Sequence, residues 1–348
     1  MSSTSRITYR SFLNKLRNLA KIALESYGLG AHQLEFINYS GNGLYRISVQ
    51  ENELSSKYIR PGRYALRLHQ PGYMKPEYIV SEMEWLSALR QDEIPVPRPI
   101  RNLDGEWLTV ADGNFDVPTK RNCTLVGWSE GKLLNKSVRP KHFRSLGSVI
   151  GRLHEQSVRW KKPKGFARPH WDWAGLFGDG FDYGFIAADA RKAIPEEHKK
   201  SFNKVLGRVT QFSEEYGKGK KVYGLIHADL DVMDNASYFN GEINPFDFDD
   251  CGFGYWIFDL GVVLAHHMLE TPDTVDTMKE ALIAGYEETS TLAMDTLEYL
   301  DLFIAARFAQ LIFFYQGNAV RNPGYLEQAL GEINGCAKLL NQVLKKTA

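Results

Sequence analysis

The sequence is poor in cysteine and carries no excess charge of either sign. Cys123, Cys251 and Cys336 are the only cysteines among 348 residues, and no two of them form a C-x-x-C pair. An odd number of widely spaced cysteines argues against a disulfide framework and a zinc ribbon. Because 42 basic residues balance 42 acidic ones, long-range attraction for polyanions is missing. We expect a cytoplasmic protein whose partners are small molecules or proteins, with no binding to nucleic acid or membranes; the composition does not indicate an oligomeric state.

Long apolar runs and internal repeats are also missing. The most apolar stretch, Leu302–Tyr315, is interrupted by Arg307 and Gln310 and is too short to span a bilayer. The polar segment 1–10 is not followed by an apolar run, so it does not resemble a signal peptide. The absence of repeats excludes solenoids and propellers. A chain of this length is expected to bury a substantial core and to divide into two domains.

The spacing of apolar residues changes along the chain. Residues 12–27 have apolar positions three and four apart and precede Gly28, which predicts an amphipathic helix with a glycine stop. Residues 34–39 and 44–49, joined by a glycine turn, predict a β-hairpin. The same criteria predict a small, mostly antiparallel sheet completed by strands over 63–69, 106–111 and 122–128, with a helix over 78–90.

Beyond residue 131 the spacing becomes helical. A β-rich part followed by a helix-rich part is typical of an α+β fold rather than of alternating βαβ units. We therefore predict a helical extension at 1–33, an N-terminal lobe at 34–128 and a helical C-terminal lobe at 129–348. The helices of the last part are expected over 143–156, 201–216, 260–269, 275–288, 291–315 and 324–345.

Two short apolar runs end in acidic residues. The run 225–226 leads into Asp229, and the run 243–246 leads into Asp247. The turn Asn240-Gly241 lies between them, so we expect the two runs to pair as neighbouring strands and to bring both carboxylates into one cleft. Two carboxylates with a nearby amide suit Mg²⁺. The alternative is that these are ordinary turn residues, since Asp and Asn are common in turns.

Taken in order, these motifs resemble the aminoglycoside phosphotransferase and choline kinase group, which is related to the eukaryotic protein kinases. The matching segments extend from about residue 34 to residue 265, which covers most of the chain. They are Ser40-Gly41-Asn42-Gly43-Leu44-Tyr45, Tyr64-Ala65-Leu66-Arg67, Leu146 to His154, His227-Ala228-Asp229-Leu230, Asp247-Phe248-Asp249-Asp250 and Phe258-Asp259-Leu260.

The resemblance implies a protein-kinase-like fold of two lobes and transfer of the γ-phosphoryl group of ATP to a hydroxyl, with Mg²⁺. It implies that Asp229 is the catalytic base, with His227 and Asp259 as hydrogen-bonded supports of its loop. It also implies that Asp247 is the principal metal ligand and that Asp249 is a candidate for a second metal ion. A carboxylate base and metal-held phosphates are what phosphoryl transfer requires.

Three positions depart from the family pattern. The family's metal-binding Asn falls by spacing on Asp234, whereas the amide is next to it at Asn235; magnesium accepts either oxygen, and we favour Asn235. Arg67 replaces the usual lysine, so a planar guanidinium takes the place of a compact ammonium group. Lys57 and Arg63 are the alternative cations for this role. The glycine loop lacks a complete G-x-G-x-x-G, so a plain hairpin turn also fits. The nucleotide-binding residues that the resemblance implies are Gly41, Asn42, Gly43, Arg67, Glu82, Leu125 and Gly127, the last two through backbone groups for adenine.

The acceptor is expected to be a small amino-alcohol, a sugar-type metabolite or a protein Ser/Thr, as in a bacterial stress-response branch. Two other functions remain open: a catalytically silent nucleotide-binding regulator, which Arg67 favours, and a metal-dependent phosphohydrolase. The segment Trp171-Asp172-Trp173 fits either an aromatic and acidic pocket for a cationic acceptor or a loop packed by tryptophans. His266 and Glu270 lie one helical turn apart, and we interpret them as an ordinary helix face rather than a metal pair.

Overall fold

The computed structural model of the protein describes residues 8–30, 34–51, 57–113, 120–134 and 137–346. The chain divides into a first unit, Met1–Arg90 with Pro97–Ser129, and a second unit, Gln91–Val96 with Glu130–Ala348. The first is built on an antiparallel sheet and the second is mostly helical. This confirms the predicted α+β fold class. The functional division at 33 and 128 stays a prediction, and residues 1–7 and 31–33 of the predicted extension lie outside the described residues.

In the first unit, one sheet carries the strands in the order β1-β2-β3-β6-β4, and β5 also pairs with β6. All of these pairings are antiparallel. The elements are α1 (Tyr9–Glu25), β1 (Leu34–Ser40), β2 (Asn42–Val49), β3 (Gly62–Leu68), α2 (Pro76–Gln91), β4 (Pro99–Ile100), β5 (Thr109–Asp112) and β6 (Lys120–Gly127).

A glycine follows the end of helix α1, which packs on this sheet. Gly28 has φ 70°; its N–H donates to the carbonyl of Glu25, and the N–H of Leu29 donates to that of Leu24. This is the Schellman arrangement, which needs a left-handed residue after the helix, so the predicted glycine stop is confirmed. The apolar side of α1, which includes the fully buried Leu16, shares one hydrophobic core with the sheet.

The second unit contains three-stranded sheets β11-β10-β7 and β8-β12-β9 among its helices. The predicted helices are present, although α9 begins at Leu300 because residues 294–299 form a 3₁₀ helix. The elements are β7 (Lys132–Leu133), α3 (Pro140–Arg159), β8 (His170–Trp171), α4 (Trp173–Phe177), α5 (Ala187–Ala193), α6 (Glu196–Tyr216), β9 (Tyr223–Ile226), β10 (Ala236–Phe239), β11 (Glu242–Pro245), β12 (Gly252–Tyr255), α7 (Trp256–Glu270), α8 (Val275–Glu287), α9 (Leu300–Arg321) and α10 (Leu326–Lys346).

The strand pairing predicted around the two acids is wrong. The Asn240-Gly241 turn joins β10 to β11, with Phe239 opposite Glu242. Strand β9, which leads to Asp229, instead pairs antiparallel with β12. A two-residue turn closes the strands that directly flank it, so it pairs β11 with the strand at 236–239 and not with the run at 225–226.

The three cysteines are free and buried. Burial raises the pKa of the Cys123 thiol, in the first unit, to about 12. Burial, followed by the charge of Glu332, raises the pKa of Cys336, in the second unit, to about 12 as well. Within the described part of the chain, no helix is long and apolar enough to cross a lipid bilayer.

Candidate active site

The loop that follows β9 carries Asp229 and is held in place by Asp259. The backbone N–H groups of His227 and Ala228 donate to the carboxylate oxygens of Asp259 over 3.0 and 2.7 Å. Asp259 lies in the first turn of α7 and is fully buried. Ala228 has φ 69°, a left-handed conformation that costs a non-glycine residue about 1–3 kcal/mol. Hydrogen bonds to a charged carboxylate offset this cost, so Asp259 stabilises the loop that presents Asp229.

A buried histidine keeps Asp259 charged. His154 Nε2 lies 3.1 Å from Oδ2 of Asp259, and His154 Nδ1 lies 2.8 Å from the hydroxyl of Tyr286. Burial by itself raises the pKa of Asp259, but the hydrogen bonds and charges of His154 and His227 together outweigh burial, so this pKa lies below its usual range. These contacts support the predicted role of Asp259. The part played by His154 could not be inferred, because sequence places it only at the end of a helix motif.

His227 ties this loop to the segment that carries Asp247. Its Nε2 donates to the carbonyl of Phe246 over 3.1 Å, and its ring packs on Phe248 with centroids 4.4 Å apart. Asp247 lies between these two residues and has φ 62°. The side chain of His227 therefore joins the loop that carries Asp229 to the segment that carries Asp247, although their strands do not pair, and a common site for the two acids stays a prediction.

Asn235 and Asp234 occupy different environments. Asn235 is buried; its Nδ2 donates to the carbonyl of Asp229 and its Oδ1 accepts the N–H of Asp231. Its own carbonyl accepts the N–H of Phe246 over 2.9 Å. Asp234 is exposed, and burial of part of the carboxyl together with the charge of Asp231 raises its pKa. Both polar atoms of the Asn235 side chain therefore hold the backbone of this loop, and the choice between Asn235 and Asp234 as a metal ligand stays a prediction.

The oxygen donors here suit Mg²⁺. Asp247 has an exposed carboxylate, Asp249 is buried beside it in the same turn, and the amide oxygen of Asn235 keeps a second lone pair. Within the described ranges, no three His, Cys, Asp or Glu side chains converge as a metal-binding group. Mg²⁺ usually keeps several waters and binds through one or two carboxylates together with substrate phosphates, and the metal site predicted at these residues stays a prediction.

A buried arginine fixes the turn that carries Asp249. Arg168 Nε donates to the carbonyl of Cys251, and its Nη2 donates to the carbonyl of Asp249. Arg168 is only 3% exposed. It lies far from the acidic motif in sequence, before β8, so sequence reasoning missed it. Its hydrogen bonds stabilise the backbone that positions the predicted metal ligands.

A second arginine contacts Asp229 itself. Arg307 of α9 is buried, and its Nη2 donates to Oδ1 of Asp229. The same guanidinium lies against His266 Nε2 and donates through Nη1 to Oε1 of Gln310. His266 Nδ1 lies 3.5 Å from Asp231 Oδ2. His266 on α7 thus lies against Arg307 on α9, a contact that the spacing of His266 and Glu270 does not reveal. The interpretation of these two residues as a helix face rather than a metal pair stays a prediction.

In the first unit, Arg67 is partly buried and forms an ion pair with the buried Glu82. Arg67 Nη1 lies 2.9 Å from Oε1 of Glu82, whose side chain is 1% exposed. The alternative cations Lys57 and Arg63 are both exposed. Arg67 therefore occupies the position beside the helix α2 glutamate that the resemblance assigns to the family's lysine. Its contact with phosphate stays a prediction.

The predicted phosphate loop is a tight hairpin turn. Gly41 has φ 98°, and a Cβ there would lie 2.2 Å from Oε1 of Gln70. Asn42 Oδ1 accepts the N–H of Gln70 over 2.8 Å. A Cβ on Gly43 would lie 2.7 Å from the side chain of Leu16. Both glycines thus have packing reasons to be small, and their role over the ATP phosphates stays a prediction.

The predicted adenine contacts lie on the central strand β6. Leu125 is opposite Leu66 on one side and Ile100 on the other. Gly127 donates its N–H to the carbonyl of Arg98 over 2.8 Å. Because the N–H of Gly127 is already hydrogen-bonded to Arg98, it is not available for the predicted contact with adenine.

The Trp171-Asp172-Trp173 segment is a packed loop. Asp172 caps α4 by accepting the N–H of Gly175 and pairs with Lys218. The indole of Trp171 donates to the carbonyl of Asp250. The carboxylate of Asp172 is therefore already paired, which favours the packing interpretation over a pocket for a cation.

Comparison with known proteins identifies the family. The model of the phosphotransferase enzyme family matches residues 53–297. The chain belongs to this family. Amicoumacin kinase of Bacillus subtilis (strain 168) is 25% identical over 252 residues, which cover 70% of this chain and 65% of that kinase, slightly less than two thirds of its length.

Two solved structures share the fold over most of the chain. A microcompartment-associated aminopropanol kinase has a TM-score of 0.77 and 27% identity, covering 94% of this chain and 98% of its own. An amicoumacin kinase in complex with AMP-PNP, Ca²⁺ and Ami has a TM-score of 0.72 and 20% identity over 95% of this chain and 96% of its own. The predicted protein-kinase-like fold is confirmed.

Proposed function

We propose that this protein is a kinase that uses Mg²⁺ and ATP to phosphorylate a hydroxyl of a small amino-alcohol in the cytoplasm. The observation that carries the proposal is the loop at 227–235, in which Asp229 is presented beside Asn235 and the Asp247 turn. A carboxylate in this setting accepts or orients the proton of an attacking hydroxyl. The side chain of Asp229 is 33% exposed, so an acceptor can reach it.

The other residues divide the remaining work. Asn235 and Asp247 would hold Mg²⁺, with Asp249 as a further oxygen donor. When bound, this ion neutralises the charge that develops on the transferred phosphoryl group. Arg67, fixed by Glu82, would bind nucleotide phosphates. His227 and Asp259 hold the loop, and a fixed geometry is what a base needs in order to act.

An amino-alcohol is favoured among the three predicted acceptor classes. Asp231 and the exposed Asp234 lie on the loop that carries Asp229, and carboxylates that neither Arg307 nor a metal ion neutralises favour a cationic acceptor. The relative with the same fold and 27% identity is an aminopropanol kinase. Sugar-type metabolites and protein Ser/Thr are the other outcomes of the test.

The test is a transfer assay with the full chain, MgCl₂ and γ-³²P-ATP. The acceptor panel contains 1-amino-2-propanol, ethanolamine, choline, homoserine, kanamycin and casein. We expect labelled product with an amino-alcohol and none with an Asp247→Ala variant. Tight nucleotide binding without transfer to any acceptor would favour the silent regulator. Release of phosphate from p-nitrophenyl phosphate without ATP would favour the phosphohydrolase.

A further inference from the structure

The guanidinium of Arg307 is directed at the catalytic carboxylate from a distant part of the chain. We propose that Arg307 is a positioning residue for Asp229, and that His266 and Gln310 hold Arg307 in the orientation this requires. The inference rests on the proposed function of Asp229 and adds to it the group that orients the base. Arg307 lies 78 residues from Asp229 in sequence, so the motif that identifies the base does not include it.

The guanidinium is held on both flanks. On one side Nη2 and Nε lie 2.9 and 3.2 Å from Nε2 of His266. On the other side Nη1 donates to Oε1 of Gln310 over 2.6 Å. The remaining hydrogen bond runs from Nη2 to Oδ1 of Asp229. A planar fork with partners at Nε, Nη1 and Nη2 has little freedom to rotate.

The donors and acceptors around this cluster are mutually consistent. Because His266 Nε2 accepts from Arg307, its proton is on Nδ1, which faces Asp231 Oδ2 at 3.5 Å. Because Gln310 Oε1 accepts from Arg307, its amide nitrogen faces the hydroxyl of Tyr183 at 3.4 Å. That hydroxyl in turn donates to the carbonyl of Gly175 over 2.9 Å. Each partner of Arg307 is therefore itself oriented.

The consequence for Asp229 is that its two oxygens differ. Oδ1 receives the guanidinium hydrogen bond, which leaves Oδ2 as the oxygen that an acceptor hydroxyl can approach. Without Arg307 the carboxylate could rotate about its Cβ–Cγ bond, and misplacement of a reacting group by about 1 Å costs on the order of 10²-fold in rate. Nucleotide binding does not depend on this orientation. The role therefore predicts a loss in turnover with little change in the KM for ATP.

The first test compares Arg307→Gln, Arg307→Lys and Arg307→Ala with wild type, using the acceptor found in the panel, or water as acceptor if none is found. We expect kcat to fall by about 10- to 100-fold in Arg307→Gln, with the KM for ATP changed by less than about threefold. Arg307→Lys should retain part of the activity, and guanidinium ions at millimolar concentration should restore part of it to Arg307→Ala. Arg321→Gln, an exposed arginine on the same helix, is the matched control and should behave as wild type.

A double-mutant cycle tests the part played by His266. If His266 acts only through Arg307, His266→Leu should lower kcat by itself and add no further loss to Arg307→Gln. Additive losses would contradict this coupling. Thermal unfolding of each variant identifies any that fails to fold. If Arg307→Gln or Arg307→Ala fails, the kcat of Arg307→Lys, which keeps the buried charge, tests the positioning role.

A crystallographic readout separates failure of this inference from failure of the proposed function. We expect one orientation of the Asp229 carboxylate in wild type and a rotated or mixed orientation in Arg307→Gln. An unchanged carboxylate, or an unchanged kcat, would overturn the positioning role. If wild type transfers phosphate to nothing, the proposed function fails, and the orientation of Asp229 still decides what Arg307 does.

Discussion

At the scale of single residues, the site depends on charges that are held by hydrogen bonds. Asp229 meets Arg307, Asp259 meets His154, and Arg67 meets Glu82. Each pair is wholly or partly buried, and removing one partner from a buried pair leaves an uncompensated charge. A substitution at any of these positions is therefore expected to change stability as well as activity. The two effects have to be measured separately.

Asp229→Asn tests the base. The amide has the shape of the carboxylate but accepts protons poorly, so we expect turnover to fall by roughly 10²–10⁴-fold. Affinity for Mg-ATP, measured by calorimetry, should change little. Turnover at the wild-type rate would contradict the role given to Asp229.

Asp259→Asn tests the support of the catalytic loop. Breaking a buried pair typically costs about 3–5 kcal/mol, so we expect a clearly lower free energy of unfolding in urea. Because the folded pKa of Asp259 lies below its unfolded value, its contribution is present above about pH 3.9 and is lost as the pH falls through the folded pKa. The variant should therefore lose less stability on acidification than wild type. Asp276→Asn, at an exposed ion pair with Lys346, is the control, and an equal response of both variants would contradict the argument.

The residues named in the motifs were predictable, and their partners were not. Asp229, Asp247 and Asp259 stand in local patterns that a sequence displays directly. Arg307 and Arg168 reach the same loops from remote elements, and only tertiary packing decides which arginine points at which carbonyl or carboxylate. Arg307 carried a visible signal, since it interrupts the most apolar stretch of the chain, and a charge in a core helix needs a partner.

At the scale of elements, periodicity predicted most helices and strands, whereas pairing was harder. Helix α1 and its glycine stop follow from local spacing, and so does the β1–β2 hairpin. The β9–β12 pair joins residues 223–226 to residues 252–255, and no local signal specifies such a partner. Strands β7 and β8 have two residues each, too few for a period to be visible.

Helix α1 and strand β2 give an element-scale prediction. Because a Cβ on Gly43 would meet the side chain of Leu16 at 2.7 Å, Gly43→Ala should destabilise the protein by about 1–3 kcal/mol through overpacking. Leu16→Ala creates space at the same contact. We expect the double variant to be more stable than the sum of the single losses predicts, as measured by urea unfolding. Strict additivity would show that the two positions do not share this contact.

At the scale of the whole molecule, the fold class and the family were predictable because the order of motifs survives along most of the chain. The acceptor was not predictable, because no local pattern encodes the chemistry of its site.

Binding of a nucleotide with its metal stabilises a folded protein by mass action. This makes unfolding a measure of the proposed metal set that does not need an acceptor.

Mg-ATP at about 100 times its Kd should stabilise the wild type by about 2.7 kcal/mol. ATP with EDTA should stabilise it less, because Asp247 and Asn235 then have no ion to share with the phosphates. Asp247→Ala should abolish the difference between the two conditions in thermal unfolding, and Asp273→Ala, at an exposed position, should preserve it. A magnesium-dependent shift that survives in Asp247→Ala would contradict the assignment.

The buried thiols give the molecule an internal reporter of its own opening. Cys123 and Cys336 lie in different units, and neither presents a thiolate to solvent in the native state, since burial opposes ionisation. Alkylation at each position therefore measures how often its surroundings open. Mass spectrometry of the modified peptides would then report the local opening of the first unit and of the second unit separately, in a single sample.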